Sequence, residues 1–178
     1  TSAGNTGECL VFVDSYVWGP VVTADIQMGG SNGNGETASN VPVQIIGAYS
    51  SSPSSFPSTN PPQACTQAAQ TAATEDGDGG GATPQNDDTL YSLGANGILG
   101  IGPFAQDCGA YCSSTVDNDQ YFNCSSSSVC TSMTQSLQTQ VENPVALFVS
   151  DNNGVQIQLP AISGNGAATA SGVMVFGI

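Results

Sequence analysis

The 178-residue sequence contains no lysine, no arginine and no histidine, against 14 aspartates and glutamates. A typical soluble domain has about 25% charged residues of both signs, so the loss of every cationic side chain sets this chain apart. A basic patch that neutralises phosphates is unavailable, which argues against nucleic-acid binding. The formal net charge of -14 instead predicts an acidic surface.

The same absences remove several catalytic and metal-binding chemistries. Without histidine, neither a Ser-His-Asp nor a Cys-His mechanism can be built within the chain. Histidine-ligated zinc or iron sites are excluded on the same ground, and lysine is missing for a Schiff base. Carboxylates, thiols, hydroxyls and amides are the functional groups that remain.

Long hydrophobic runs are also missing. No stretch of 18 or more apolar residues occurs, so the sequence predicts no membrane span. No positively charged start followed by an apolar run is present, and we expect a mature or excised chain. Apolar residues make up 39% of the sequence, which suffices for the core of one β domain, or one lobe, over residues 1–178.

Six cysteines in this acidic, Ser/Thr/Asn/Gly-rich chain indicate an oxidising compartment, and therefore an extracellular, periplasmic or cell-surface location. They are Cys9, Cys65, Cys108, Cys112, Cys124 and Cys130. A zinc site with four thiolates is the competing interpretation, but C-x2-C knuckles are absent. We expect three disulfides, with a nested arrangement between residues 108 and 130: Cys108–Cys130 and Cys112–Cys124. Cys9 would then pair with Cys65.

Alternating hydrophobicity predicts a mainly β fold. In 16–28, apolar Val22, Ala24 and Ile26 alternate with polar or smaller neighbours, which is the period of a half-buried strand. Gly19-Pro20 is expected to break this strand, and Pro42 favours an edge position for its own strand. The other short strands are expected at 9–14, 41–46, 97–101, 145–150, 155–159 and 172–176.

Two further local patterns predict a hairpin and a helix. The turn sequence 151–154 (DNNG) predicts a hairpin between 145–150 and 155–159. Met133, Leu137 and Val141 recur at helical spacing, after a capping box and before Pro144, so we expect one short helix near 132–142. A second helical piece, of a turn or two, is expected within 66–74.

Two segments depart from this strand pattern. Residues 49–89 are rich in Ser, Pro, Asp and Gly and predict a surface insertion, and 105–130 predict a cysteine-rich loop. The insertion carries an acidic cluster that forms the candidate calcium site: Glu75, Asp76, Asp78, Asp87 and Asp88. Its spacing does not match an EF-hand, so a solvated loop is the favoured interpretation and calcium is the alternative; no other cofactor is expected.

The order of motifs resembles the end of the N-terminal lobe of pepsin-like aspartic proteases. NGILGIG at 96–102 is followed by QTQVENP, the strands VALFVS and VQIQLP, and the closing SGVMVFGI. Upstream, GPVVTADIQMGG resembles the strand after the flap hairpin, and 37–47 resembles the next strand. The chain is also similar to an uncharacterised bacterial family of pepsin-like secreted proteins, through ECLVFVDSYVWGPVVTADIQMGG, ETASNVPVQIIG, GANGILGIGPFAQDCGAYC and the final 35 or so residues.

The resemblance implies a pepsin-like β lobe but does not supply its catalytic residues. That family uses two D-[ST]-G loops whose carboxylates share a proton, and this chain contains neither loop. Asp14 in VFVDSY is the nearest candidate, but Tyr16 replaces the glycine that the tight turn requires. A strand-end aspartate is therefore the favoured interpretation. Tyr16 and Trp18 fall in the flap-like hairpin, where substrate closure and simple packing are both open.

These observations lead to two functional hypotheses. In the first, the chain lies between the two D-[ST]-G loops of an extracellular pepsin-like protein and forms scaffold and cleft wall without catalysing a reaction. Its partners would be the remaining segments of a larger parent chain. In the second, it is an acidic, protease-resistant structural, adhesive or filament-forming module that associates with copies of itself. Neither hypothesis involves nucleic acid or a membrane span.

Overall fold

The computed structural model describes residues 5–29, 35–47, 60–75, 83–126 and 129–178. The strands are β1 (Thr6–Val11), β2 (Ser15–Met28), β3 (Glu36–Gln44), β4 (Gln85–Asn86), β5 (Tyr121–Ser126), β6 (Val129–Ser132), β7 (Val155–Gln158) and β8 (Val173–Phe176). The helices are α1 (Gln63–Glu75), α2 (Leu90–Leu93) and α3 (Ala110–Ser114), with 3-10 turns at Leu137–Thr139 and Pro144–Leu147. Strands predominate over helices, which confirms the mainly β prediction.

The strands form one large and one small sheet. The large sheet has the order β3-β2-β1-β5-β6 with antiparallel neighbours, and β4 adds to β2 in parallel. β7 and β8 pair with each other in a separate two-stranded sheet. β3 lies at the end of the sheet order, in agreement with the edge position that Pro42 favours.

β2 is the longest strand and connects two halves of the large sheet. Its first half pairs with β1, where Glu8 lies opposite Gly19, and its second half pairs with β3, where Val21 lies opposite Gln44. The predicted break at Gly19-Pro20 is therefore wrong, because the strand runs through it. The two residues instead mark the point where β2 changes partner.

Gly19 is required by a close approach of two backbones. A Cβ at this position would lie 1.9 Å from the carbonyl oxygen of Ile45, because Gly47 N–H donates to the carbonyl oxygen of Trp18 over 2.9 Å and draws this segment against β2. Gly19→Ala is thus expected to lower the free energy of unfolding by about 1–3 kcal/mol in urea denaturation. Gly97→Ala is the matched control, since a Cβ there would meet nothing within 4 Å. Equal stability of the two variants would contradict the close approach.

Among the residues that the structure describes, the core is built from three clusters rather than one continuous layer. The first joins α1 to the sheet and includes Trp18 and Phe122, whose rings meet edge-on with centroids 5.7 Å apart. The second packs β3 against the Pro144–Leu147 turn and the β7–β8 hairpin, where Phe148 and Phe176 lie 5.5 Å apart. The third surrounds Tyr121. The first cluster explains why Cys65 and Ala69 are buried although they lie within the 49–89 segment.

The helix predicted at 132–142 is wrong. Residues up to Ser132 belong to β6, and only Leu137–Thr139 takes a 3-10 turn. The side chain of Gln140 is fully buried and bonds the backbone of Gly109 and Gln135, with distances of 2.7–2.9 Å. These bonds attach the segment to the distant residue Gly109, so the segment crosses the fold and does not form a helix. The longest helix is α1, with 13 residues, where only a turn or two was expected.

The strands predicted at 97–101 and 145–150 are also wrong. Residues 97–101, all described, have no regular secondary structure, and Ile98 and Leu99 are exposed where burial on both sides was expected. Residues 144–147 form a 3-10 turn, because the Asn143 side chain accepts from Val145 N–H at its start. The hairpin predicted around 151–154 consequently does not form. β7 pairs with β8, and 151–154 connects the Pro144–Leu147 region to β7.

The disulfide prediction is confirmed in part. All six cysteines are paired, and Cys9–Cys65 is present as expected. The nested pairs are wrong, because the structure has Cys108–Cys112 and Cys124–Cys130. Cys124 and Cys130 lie opposite each other in the β5–β6 ladder, and α3 brings Cys112 beside Cys108. Three disulfides indicate an oxidising environment. Within the described ranges, no helix is long and apolar enough to cross a membrane.

Candidate functional site

An open cleft of about 600 Å³ lies beside β2 and β3. One wall is the irregular segment 95–107, and the other consists of apolar side chains on the sheet, among them Ile26 and Val43. The segment 95–107 contributes Ile98, Leu99 and Phe104, all exposed to the cleft or to solvent. The lining is therefore mainly apolar, and Glu8 and Asp107 form its acidic end.

Hydrogen bonds to the chain around residue 142 fix the position of the 95–107 wall. Asn143 donates through its side chain to Gly102 (3.0 Å) and through its backbone to Ala105 (2.7 Å). Asp107 N–H donates to Val141 over 3.1 Å, and Gln106 and Glu142 form a β-bridge. The bridge and the bond from Gln106 Nε2 to Glu142 Oε1 place these two side chains on one face of the strand pair, so Asp107 points to the other face, toward Tyr121.

Glu8 and Asp107 form a carboxyl pair at this acidic end. Gln120 bridges them, since its Nε2 donates to Glu8 Oε1 (3.3 Å) and also to Asp107 Oδ2. The Tyr121 hydroxyl is within 2.8 and 2.9 Å of the two oxygens of Asp107 and accepts from Val141 N–H (2.8 Å). β1, the 105–107 segment and the start of β5 thus all contribute to one hydrogen-bonded group.

Burial controls the protonation of this group. The Glu8 side chain is only 1% exposed, and burial raises its pKa well above the usual value. Asp107 raises the pKa further, by accepting a hydrogen bond from the protonated form and through its negative charge, while the Gln120 bond acts in the opposite direction. Glu8 therefore holds a proton beside Asp107 at a pH where an exposed glutamate would be ionised.

Two neighbouring groups are shifted in the same direction. Burial, together with the charges of Glu8 and Asp107, raises the pKa of Tyr121, so its phenol remains a hydrogen-bond donor throughout the neutral range. Partial burial raises the pKa of Glu142, against the lowering effect of the bond from Gln106 Nε2 (3.1 Å). Neutral donors from Gln120 and Tyr121 thus surround the Glu8–Asp107 pair, while Glu142 has its own donor in Gln106.

Hydrogen bonding limits what the carboxyl pair can do. Glu8 Oε1 and both oxygens of Asp107 have donors in Gln120 and Tyr121. Glu8 Oε2 is buried and has no hydrogen-bond partner among the described groups unless Glu8 is protonated. The arrangement can hold a proton at Oε2, for which Asp107 is the acceptor.

The candidate residues from the sequence lie mostly outside this site. Asp14 is exposed in the turn between β1 and β2, and Tyr16 and Trp18 are buried in the first core cluster, where they pack. Asp88 is the exception, because it lines the cleft and its Oδ1 accepts from Trp18 N–H over 2.6 Å.

The candidate calcium residues are not gathered into a site by the part of the chain that the structure describes. Glu75 is exposed at the end of α1, Asp87 is half-buried beside Asp88, and Asp76 and Asp78 lie outside the described residues. No group of three or more His, Cys, Asp or Glu side chains suited to a metal ion occurs within the described ranges.

Sequence reasoning missed both carboxyl groups of the acidic end, Glu8 and Asp107, and their donors Gln120 and Tyr121; it also missed Glu142. One signal was present at Glu8, a carboxylate in a short run of otherwise apolar strand residues and next to a cysteine. A charged side chain in such a run is expected to be buried, and buried charges need a partner or a function. The partners themselves are far apart in the sequence and carry no local motif.

A family model described as "Protein of unknown function (DUF3443)" matches residues 1–178. No curated protein and no solved structure matches the chain. The family description assigns no activity, so the functional argument rests on the geometry of the cleft.

Proposed function

We propose that this chain, which belongs to the DUF3443 family, forms the scaffold and one wall of a cleft in an extracellular protein, and that the cleft holds an extended polypeptide segment. The chain itself catalyses no reaction in this proposal. The segment in the cleft belongs to the remainder of a larger parent protein.

The observation that carries the proposal is the apolar wall that the fold leaves open. Ile98, Leu99 and Phe104 follow one another along 95–107, and Phe104 is 78% exposed. Contiguous exposed apolar surface marks a binding site for another chain or ligand. A polypeptide in the cleft would bury these side chains against Ile26 and Val43 on the opposite wall.

A pepsin-like relationship is part of the proposal. It is supported by the motif order in the sequence and by the antiparallel pairing of β2 with β3, the two segments that resemble the strand after the flap and its successor. In a pepsin-like lobe 97–101 would be a buried strand. A segment bound in the cleft would supply the neighbour that such a strand needs.

An extracellular location is also part of the proposal. Three disulfides and an acidic surface support it, because disulfides persist in oxidising compartments. The absence of lysine and arginine also leaves a trypsin-like protease no cleavage site. Both properties suit a protein that works outside the cell.

The chain is expected to show no peptide hydrolysis between pH 3 and pH 7. A hydrolytic carboxyl pair must hold one water between its oxygens, and three of the four oxygens of Glu8 and Asp107 already have donors from the protein. An assay with a fluorogenic peptide library tests this, alongside Asp14→Asn and Glu8→Gln. Cleavage that either substitution abolishes would contradict the non-catalytic role and identify the catalytic carboxyl.

The proposal predicts protection of the wall in the longest natural protein that contains this chain. Hydroxyl-radical footprinting should label Leu99 and Phe104 strongly in the 178-residue chain and weakly in the longer protein. Tyr91 is the internal control, because it is 98% exposed on α2 and should be labelled equally in both. Equal labelling of Phe104 in the two proteins would contradict the proposal.

A second candidate function, self-association of a structural module, is favoured by one observation. The β7–β8 sheet has only two strands within the described residues; Ile157 and Val173 on it are exposed, as is Leu159 directly after β7. Open strand edges with exposed apolar side chains pair readily with other copies. Sedimentation that shows concentration-dependent oligomers, dispersed by Val173→Thr, would favour this function over the cleft wall.

A further inference from the structure

We infer that Asn96, which is followed by Gly97 in the wall of the cleft, is a site of covalent modification where the asparagine side chain deamidates spontaneously to aspartate and isoaspartate. The reaction consumes water and needs no enzyme. The inference goes beyond the proposed function and does not depend on what occupies the cleft.

The reaction begins at the backbone nitrogen of the residue after the asparagine. The Gly97 nitrogen attacks Cγ of Asn96, so that an N–Cγ bond forms, the Cγ–Nδ2 bond breaks, and ammonia leaves with the proton of the Gly97 N–H. Water then opens the resulting succinimide ring. Cleavage between the nitrogen and Cγ gives aspartate, and cleavage between the nitrogen and the backbone carbonyl carbon gives isoaspartate. The net change is amide plus water to acid plus ammonia, without oxidation or reduction.

Glycine favours this attack because it places no Cβ beside the nucleophile and leaves the backbone free to rotate. The sequence has five Asn-Gly pairs, and the structure describes three of them completely, at 96–97, 153–154 and 165–166. The two residues that react are the same in all three pairs. Differences in reactivity among them therefore report how the fold holds each pair.

At Asn153 the fold holds the side chain that must be attacked. Its Nδ2 donates to the carbonyl oxygen of Ile178, and its Oδ1 accepts from Ile178 N–H over 2.9 Å. Both bonds must open before Cγ can turn toward the nitrogen of Gly154. We therefore expect slow deamidation at Asn153.

At Asn165 the fold holds the attacking nitrogen instead. The Gly166 N–H donates to the carbonyl oxygen of Ser163 over 2.9 Å, and the Ser163 hydroxyl donates to the Gly166 carbonyl over 3.0 Å. This closed turn keeps the Gly166 nitrogen engaged, although Asn165 itself is exposed.

At Asn96 the fold holds neither reacting group. Asn96 is exposed in the bend that follows Gly94, the left-handed residue at the end of α2. Neither Asn96 nor Gly97 makes a hydrogen bond within the part of the chain that the structure describes. A Cβ at Gly97 would meet nothing within 4 Å, so the space around the nucleophile is open as well.

The modification would change the wall of the cleft. Asn96 lines the cleft together with Ile98 and Leu99. Either product puts a carboxylate on this mainly apolar wall, and the chain has no cationic side chain to pair with it. Isoaspartate also adds a methylene group to the main chain shortly before Ile98, which displaces the apolar side chains that follow.

Incubation of the folded chain at pH 8, followed by reduction and digestion with a protease that cleaves after glutamate, tests the inference. The cuts after Glu75 and Glu142 leave Asn96 in the fragment 76–142 and the other two sites in 143–178. Mass spectrometry with electron-transfer fragmentation then measures conversion at each asparagine and distinguishes isoaspartate from aspartate. We expect Asn96 to convert about tenfold faster than Asn153, whose two hydrogen bonds must first open.

Two controls separate the effect of the fold from that of the local sequence. Gly97→Ala, which fits without a clash, should slow conversion of Asn96 and leave Asn153 and Asn165 unchanged. In concentrated urea the three asparagines of the unmodified chain should convert at similar rates, because the protecting hydrogen bonds are lost. Thermal melting verifies that the variant is folded.

Three results would overturn the inference. The first is conversion of Asn96 in the folded chain at the same rate as Asn153 and Asn165, or more slowly. The second is an unchanged rate in Gly97→Ala. The third is a preference for Asn96 that persists in urea, since it would then arise from neighbouring residues in the sequence and not from the structure.

Discussion

Removal of the Cys9–Cys65 disulfide is expected to lower the free energy of unfolding by about 4 kcal/mol, the largest effect of any single bridge. The bridge closes a loop of sequence separation 56, so its loss frees more unfolded-state conformations than the loss of a short-range bridge. Both cysteines lie in the first core cluster with Trp18 and Phe122, and the bridge joins α1 to β1. Urea denaturation of the Cys9→Ala/Cys65→Ala double variant measures the effect.

The control is the Cys124→Ala/Cys130→Ala double variant. Its sequence separation is 6, and the two cysteines already face each other in the β5–β6 ladder. The loop-length argument gives about 2 kcal/mol for this bridge, roughly half the expected loss at Cys9–Cys65. An equal or larger loss from the Cys124–Cys130 variant would show that loop closure does not determine the order of the effects.

Glu8→Gln is expected to stabilise the folded protein at pH 8 by about 1–3 kcal/mol, the usual cost of leaving a buried polar atom without a partner. The amide can donate where the ionised carboxylate cannot, and it removes the repulsion from Asp107. Replacing a charged side chain at a buried site usually lowers the free energy of unfolding. An increase for Glu8→Gln would therefore be specific to the arrangement around Glu8. Glu75→Gln, at an exposed position, is the control and should change stability by less than about 0.5 kcal/mol.

The pH dependence of the unmodified chain follows from the same group. Glu8 has a higher pKa in the folded state than in the unfolded chain, where the ordinary value of 4.5 applies. The folded state therefore binds more protons, and stability falls as pH rises from about 4.5 through the folded pKa. Glu142 acts in the same direction. Melting temperatures of Glu8→Gln and the parent should agree near pH 4 and separate toward pH 8; a constant difference over this range would contradict the assignment.

The sequence predicted those parts of the fold that depend on local periodicity. The alternation around Val22, Ala24 and Ile26 identifies β2, and Pro42 identifies β3 as an edge strand. The final strands were also found within one or two residues, at β7 and β8. In each case the side chains that decide the structure lie close together in the sequence.

Elements that depend on distant contacts were mispredicted or missed. The apolar spacing of Met133, Leu137 and Val141 is helical, but Gln140 bonds the backbone of Gly109, and this contact cannot be read from the local sequence. From the sequence alone, the nested disulfide pattern is as plausible as the observed one. Only the pairing of β5 with β6 places Cys124 opposite Cys130. The helix α1 was underestimated, because a polar Ala/Thr/Gln segment needs its disulfide and its buried Ala69 to pack against the sheet.

The acidic end of the cleft illustrates the same limit for function. Glu8 and Asp107 are about 100 residues apart in the sequence, and Gln120 joins them only after β1 and β5 pair. No spacing or motif connects them. The sequence did show that the chain has no cationic side chain. No ion pair within the chain can therefore compensate the carboxyl pair of Glu8 and Asp107.

The most direct test of this account is a crystal structure of the longest natural protein that contains this chain. The account predicts a polypeptide segment in the cleft, packed on Ile98 and Leu99. A cleft filled by solvent, with Phe104 still exposed, would contradict the central claim that this chain is the wall of a polypeptide-binding cleft.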